Sequence, residues 1–529
     1  MKKIFLGLLA CGLPMIAEAQ ETFDALQMSQ TELRGTARFQ SMAGAFGALG
    51  GDLSTLNQNP AGIGVYRSSD AGITLSLDFN SNKTPNLLAD DKTRLNVNSV
   101  GYVGAFKLGG ETMSNFNIGF TYSRNNDFQR HYRGVSGNIP TSITNHIAYY
   151  TGNNKPSDLA ITDKYNPYYD SMAPWSSILS YDSYLINYNN GGWQGLYGDG
   201  TQGKAEYEVV QSGHTDEYSI NLGGNFLNKV FWGAGVGIVD MNYDNYMYYG
   251  ESLNNAYIFD YAKNDGTIEV GNANFGYVNS LHTTGTGYNF KLGLIVKPIN
   301  ELRLGAAFHT PTYYDMRDIY KTVASFEMEG SGNNRYNGEK QTGNGDIWDE
   351  ARYTFSTPWR FIGSIAGVIG REGLVSFDYE YVGANSMRVG NDAGREYVDV
   401  TNRMKDYFQA SHIFRLGGEY RVDPNWSVRA GYSYQTSPVK AAVRDNLMNI
   451  TTVSSNPAYE YDKSVQYVTL GLGYHYKSFY ADMAYVHKAR TSVFNAFSPN
   501  VYRGGVEQNV NSEVKDNNNR VVMTMGFRF

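Results

Sequence analysis

A chain of 529 residues with a net charge of −7 is mildly acidic, which argues against a nucleic-acid partner, since that would need a basic face. Glycine (58) and tyrosine (43) are abundant while proline (14) is scarce, and after the first twenty residues no linker or shift in composition divides the chain. Such a length would ordinarily hold several soluble domains; without a boundary it is accounted for by one large barrel.

Residues 1–19 read as a targeting segment. Lys2 and Lys3 open it, an apolar run from Ile4 to Ala10 follows, and Ala17-Glu18-Ala19 forms a small-residue cleavage site, so the mature chain is expected to begin at Gln20. A lipidation box at Leu8-Leu9-Ala10-Cys11 is the rival reading, but the apolar core before Cys11 is short. Ordinary cleavage removes Cys11 and leaves a chain that needs no disulfide in an oxidising compartment. No later apolar run approaches the ~20 residues of a spanning helix. Within lipid only helices and closed barrels satisfy their backbone, so an exported chain of this kind is soluble or a barrel.

Residues 20–68 do not alternate. They hold the small-residue stretch from Ala43 to Gly51, then Asp52-Leu53-Ser54 and the triplet Asn59-Pro60-Ala61. A segment this short and glycine-rich cannot hold a core of its own, and packed inside a barrel it would be a plug.

From residue 69 to 529 a period of two recurs. Ala71, Ile73, Leu75, Leu77 and Phe79 share one face against Thr74, Ser76 and Asp78, and Tyr288, Phe290, Leu292 and Leu294 share one against Asn289, Lys291 and Gly293. A soluble sandwich also alternates, so the turns decide. Very short connections near residues 108–111, 227–229, 297–300, 369–372, 421–425 and 476–478 alternate with long polar stretches near 81–94, 124–214, 250–284, 322–350, 386–410, 438–463 and 491–518. Short periplasmic turns, long external loops and an even strand count characterise bacterial outer-membrane barrels. The fold class is therefore all-β, a transmembrane antiparallel barrel of about fourteen strands with an N-terminal plug.

Within the loop at 124–214, Met172, Trp175, Ile178, Leu179, Tyr181, Leu185 and Ile186 fall roughly at helical spacing. Trp175, Ile178, Leu179 and Leu185 are candidates for an apolar landing groove; the alternative is a lid packed on neighbouring loops. The polar strand faces carry Lys291, Arg303, Arg360, Asp378, Glu380, Arg415, Glu419, Arg429 and Asp482. Such charges mostly pair with each other or with a plug, and one basic residue among them, which the sequence does not single out, is available to meet a ligand's carboxylate; Arg360, Arg415 and Arg429 are the candidate lumen charges. No H-E-x-x-H, G-x-S-x-G or Walker motif is present, the histidines are scattered, and Asp346, Asp349 and Glu350 lack a glycine-centred calcium frame. An enzyme, a cofactor and a metal are accordingly not expected.

The last strand places Val521, Met523, Met525, Phe527 and Phe529 on one face and stops at the aromatic residue. A terminal alternating strand ending in Phe resembles the signal read by the barrel-assembly machinery, which makes that machinery an expected partner and Phe529 its contact.

Arg38, Gly44, Asp52, Ser54 and Asn59-Pro60-Ala61 leading into the first strand, with Thr357-Pro358-Trp359 and the run from Val428 to Tyr432, resemble the FadL/TodX (OmpP1) family of outer-membrane transporters. The resemblance covers essentially the whole mature chain. It implies an N-terminal hatch inside a fourteen-stranded barrel, residence in the bacterial outer membrane among its lipids, and passive uptake of small hydrophobic molecules such as long-chain fatty acids. In that family a kinked third strand opens the wall sideways; here the corresponding strand has only Gly119 to soften it and no proline. The loop at 124–214 does not map clearly onto the family's ligand-capturing loops. A haem-binding receptor, which some relatives suggest, and a structural or adhesive barrel are the alternatives.

Overall fold

The computed structural model describes residues 22–83, 92–108, 112–260, 267–332, 334–345, 347–370, 372–502 and 505–529. The expected signal peptide, its cleavage point before Gln20, Asp346 and parts of the turns at 108–111 and 369–372 lie outside the described residues.

Among the described residues, fourteen antiparallel strands close into a barrel. They are β1 (Asp70–Lys83), β2 (Lys92–Lys107), β3 (Met113–Asp127), β4 (Gln202–Phe226), β5 (Val230–Phe259), β6 (Ile268–Val296) and β7 (Leu302–His309 and Tyr313–Gly330). Then come β8 (Asp349–Ser356 and Arg360–Ile369), β9 (Gly373–Gly383 and Arg388–Asn391), β10 (Ala410–Arg421), β11 (Trp426–Thr436), β12 (Tyr459–Tyr476), β13 (Phe479–Asn495) and β14 (Asn511–Arg528). Strand β14 lies against β1, with Arg528 opposite Asp70 and Val521 opposite Leu77, so the sheet has no free edge.

The pleat sorts the side chains. Ile73, Leu75, Leu77 and Phe79 stand exposed on the outside of β1, while Thr74, Ser76 and Asp78 between them are buried towards the lumen. The same split puts Phe290, Leu292 and Leu294 outside and Asn289 and Lys291 inside on β6. At the short end, Leu227 and Asn228 both take positive φ (54° each), which closes the tight β4–β5 hairpin in the twist its strands require.

The strands run further outward than the alternation indicates. Residues 202–214, 250–259, 268–284 and 322–330, expected in loops, continue β4 to β7, with Tyr207 opposite Tyr249 and Phe275 opposite Phe326. Beyond the lipid neither face must be apolar, so pairing persists after the outward apolar pattern stops. Strands β7 and β8 are each interrupted at a proline, Pro311 and Pro358, which has no N–H to give the ladder.

The third strand is irregular for a reason other than glycine or proline. It pairs with β4 along its length, with register shifts at Met113/Asn115 and Arg124/Asn126, but with β2 only from Asn115 to Ser123. Above that point side chains bridge the two strands: Arg124 Nη1 donates to Asn96 Oδ1 at 3.1 Å and Asn96 Nδ2 to Asp127 Oδ2 at 3.2 Å.

The N-terminal segment fills the lumen. Helix α1 (Thr22–Met28) sits at the outer end, where Phe23 packs among Tyr407, Phe408, Tyr459 and Tyr461. Helix α2 (Ala37–Ser41) is capped by Thr36, helix α3 (Thr55–Gln58) follows, and Asn59 caps a 3₁₀ turn (Pro60–Val65) that leads to β1. Ala37, Met42, Ala43, Phe46 and Ala48 are buried with Val465, Ala484, Val486 and Val522 of the wall.

Candidate functional site

The hatch is held by backbone contact and by charge. Where its chain meets the wall, the wall offers glycine: a methyl group on Gly233 would overlap the Pro60 carbonyl, one on Gly293 the Asn59 amide, one on Gly305 the Gly47 carbonyl and one on Gly431 the Met42–Ala43 peptide. The triplet Asn59-Pro60-Ala61 thus lies against the first residues of β5 and the last of β6, at the short-turn end. Asn59 Nδ2 donates to Gly47 O at 2.6 Å, and its Oδ1 accepts from Ala61 N at 3.1 Å.

The charges on the inner wall are nearly all engaged. Glu380 accepts from Arg360 Nε at 2.5 Å and from Arg415 Nη2 at 2.6 Å. Arg429 joins Glu419 and Asp482, both at 2.5 Å, and Arg38 of the hatch reaches the same Glu419 at 2.9 Å. Lys291 pairs with Glu217, Asp378 accepts from Gly47 N at 2.8 Å, and Arg303 donates to Leu49 O at 2.7 Å. Asp52 turns inward instead, accepting from Thr36 Oγ1 at 2.7 Å and from Ser54 N at 2.9 Å. A second cluster binds the upper hatch: Arg34 contacts Glu32, Asp78 and Asp127, and Arg520 contacts Asp78 and Glu32.

Two cavities matter. The inner one, about 150 Å³, lies between hatch and wall. Its polar side is a row across adjoining strands, Lys291 opposite His309 and His309 opposite Arg360, continued by Glu380 and Arg415. Its apolar side includes Met28, Leu33, Phe39, Val239, Ile362 and Ile413. Arg360 and Arg415 line this cavity; Arg429 does not.

The outer cavity, about 390 Å³, lies among external loops, between helix α4 (Ile143–Thr151), helix α5 (Trp175–Asp182) and the segment from Ile450 to Pro457. Ile147, Met172, Trp175 and Val453 give it apolar walls, and His146 and Tyr150 line one side. Burial pushes the His146 imidazole down to about 3, so it is neutral at ordinary pH. Of the four candidate groove residues only Trp175 faces this cavity. Ile178, Leu179 and Leu185 are fully buried beneath it, Leu179 and Leu185 with Ile147, Tyr249 and Phe494, and Ile178 beside Trp175 and Tyr168.

At the chain's end, Phe529 is exposed beside Phe527, and its backbone exchanges hydrogen bonds of 2.9 and 3.0 Å with Ser69. Sequence reading missed Asn57, Gln58 and Glu217 as lining residues of the inner cavity. The alternation of Glu217 with outward Tyr218 and Ile220 was the available signal for one of them; nothing marks Asn57 or Gln58.

Residues 218–452 match the model of the outer membrane protein transport protein family (OMPP1/FadL/TodX). A search among curated proteins finds no match. A Pseudomonas aeruginosa FadL homologue of known structure superposes with a TM-score of 0.51 at 12% identity, over 95% of this chain and 100% of that one, which bears on the fold alone. The P. putida toluene transporter TodX (13% identity, 94% and 99% covered) and the Ralstonia pickettii toluene transporter TbuX (14%, 95% and 100%) give TM-scores of 0.45 each, too low to carry an argument. The resemblance read from the sequence is borne out over residues 218–452, less than half of the chain, while a barrel fold like that of the FadL homologue extends over 95% of it.

Proposed function

We propose that this barrel admits small hydrophobic molecules, long-chain fatty acids among them, by passive diffusion. The observation that carries the reading is the stacking of two cavities along a closed barrel: an outer one walled by Ile147, Met172, Trp175 and Val453, and an inner one sealed below by the hatch. Hydrocarbon chains cross water-filled pores poorly, because each exposed CH₂ costs about 0.8 kcal/mol. A loop pocket that shelters the chain at the surface removes that cost at the first step. In this reading Trp175 captures ligand, with Ile178, Leu179 and Leu185 as the packed base that holds it in place, and Asn59-Pro60-Ala61 fixes the lower seal. Arg360 and Arg415 meet the ligand inside the lumen, while Arg429 anchors the hatch through Glu419. Residues 1–19 serve as the export signal, outer-membrane lipid surrounds the apolar belt, and Phe529 is presented to the barrel-assembly machinery.

Passive transport follows from size, since a barrel of about fourteen strands is smaller than the 22-stranded plugged barrels of energised transporters. Proteoliposomes holding only this protein test the reading. Saturable entry of labelled oleate without any imposed gradient of ions is the expected result. Absence of flux for fatty acids, aromatic hydrocarbons and haem alike would turn the assignment towards a structural barrel.

A further inference from the structure

Above the lipid, the outward face of β4 to β7 is dented. Across these four strands one row of outward positions reads Glu206, Gly250, Gly276, Ser325, and the next row further out reads Lys204, Ser252, Asn274, Glu327. The two glycines leave the middle of the first row without side chains, on neighbouring strands ~4.8 Å apart. Tyr248, one outward position below, lies in that dent: a methyl group on Gly250 would overlap its hydroxyl end, and one on Gly276 its ring edge. Its hydroxyl donates to Glu206 Oε1 at 3.1 Å, which pins the half-buried ring against the sheet. The result is an open trough of about 550 Å³ with an aromatic floor and polar sides. Ser252, Asn274, Ser325 and Glu327 are exposed and, among the described residues, make no side-chain hydrogen bond within the protein.

This lining rules out most occupants. One ring among lysine, glutamate and serine is too polar for the core of a protein interface, where those three residue types are depleted. Carboxylates at Glu206 and Glu327 repel a nucleic acid. A saccharide answers both features: its C–H face packs on an aromatic ring, and its hydroxyls donate to carboxylates and accept from amide and ammonium groups. Height points to the source. The outward face of β5 is continuous with the lipid-facing Val236 and Ile238. At ~3.3 Å per residue and a strand tilt of about 40°, Tyr248 stands roughly 25 Å above Ile238, beyond the reach of acyl chains. We infer that the trough holds the saccharide chain of a glycolipid anchored in the same outer leaflet, with Tyr248 as stacking platform and Glu206, Ser252, Asn274 and Glu327 as hydrogen-bonding sides. A saccharide tethered beside the barrel reaches a local concentration of about millimolar, so an exposed, weak site is enough to hold it.

The test places the full chain in nanodiscs containing equal amounts of lipopolysaccharide with its core oligosaccharide and lipid A without it, and measures by mass spectrometry which form stays with the protein after detergent extraction and gel filtration. The wild type should retain the sugar-bearing form about tenfold over lipid A, the effect of one stacked ring with one or two hydrogen bonds. Tyr248→Phe keeps the ring and should retain most of that preference; Tyr248→Ala should lose it. Excess free core oligosaccharide should erase the preference of the wild type, because the sugar and not the lipid phosphate is recognised. Heat-modified mobility on gels reports folding, and should Tyr248→Ala fail it, Asn274→Ala, which changes only an exposed side chain, should lower the preference about threefold. Retention of both lipids in equal amounts by the wild type overturns the proposal. So does a preference that survives in Tyr248→Ala or in the presence of free oligosaccharide.

Discussion

Glu380 stands between two guanidinium groups and is almost wholly buried, so its loss would leave Arg360 and Arg415 facing one another across the inner wall. Removing one member of a buried charge group costs roughly 3–5 kcal/mol, because the remaining charges are left uncompensated. Glu380→Gln should therefore lower the urea midpoint of the refolded protein, and adding Arg415→Gln to it should recover part of the loss. An additive double mutant would show that the three groups do not act together. In the outer loops His146 packs on Tyr150 and Phe497, with ring centroids 4.5 and 5.2 Å away. Its folded value near 3 lies below the ordinary 6.5, so the unfolded loop binds a proton that the folded loop refuses. Stability of the cover is complete above pH 6.5 and falls as the pH drops, by about 1.4 kcal/mol per unit until the folded value is reached. Limited proteolysis within residues 124–214 should quicken between pH 7 and pH 5 in the wild type and much less in His146→Leu. Equal pH dependence in the two proteins would remove His146 from the account.

At the scale of elements, the hatch docks on glycines, and a branched side chain at one of them forces hatch and wall apart. Gly233→Val should cost about 1–3 kcal/mol by overpacking and raise ion conductance in planar bilayers, while β5 still inserts. A trace as quiet as the wild type would mean that the Pro60 contact does not seal the pore. Deleting Phe529 removes the aromatic residue that follows β14 at the short-turn end and should slow insertion into liposomes supplemented with assembly machinery; unchanged kinetics would exclude it as a recognised residue. The barrel was legible because lipid forces one face of each strand to be apolar, as Ile73, Leu75, Leu77 and Phe79 show. Where water replaces lipid outside the strands, as along residues 202–214 and 250–259, that constraint lapses and paired strands read as loop. The short β2–β3 ladder was also invisible, as were the register shifts of β3 against β4 between Met113 and Asn115 and between Arg124 and Asn126, which carry no compositional mark. At the site, the wall charges could be named from alternation, but Asn57 and Gln58 sit in a segment with no period to place them.

For the molecule as a whole, the hatch and the loops are two barriers in series, and the deletion of residues 22–58 separates them. A barrel of about fourteen strands emptied in this way keeps a wet interior, so the variant should conduct small ions and lose its preference for apolar solutes. An unchanged closed trace would assign the seal to the outer loops.

The glycine contacts also impose an order of events. At Gly233, Gly305 and Gly431 the hatch backbone touches the wall backbone with no clearance for even a methyl group, on strands from different sides of the barrel. A segment gripped on several sides cannot be threaded into a ring that has already shut. The hatch must lie in place while β14 is still finding β1, which makes it a mandrel on which the sheet is wound. A peptide of residues 20–68 added to a finished hatchless barrel should then fail to quiet its conductance, whereas the same peptide present during refolding should succeed.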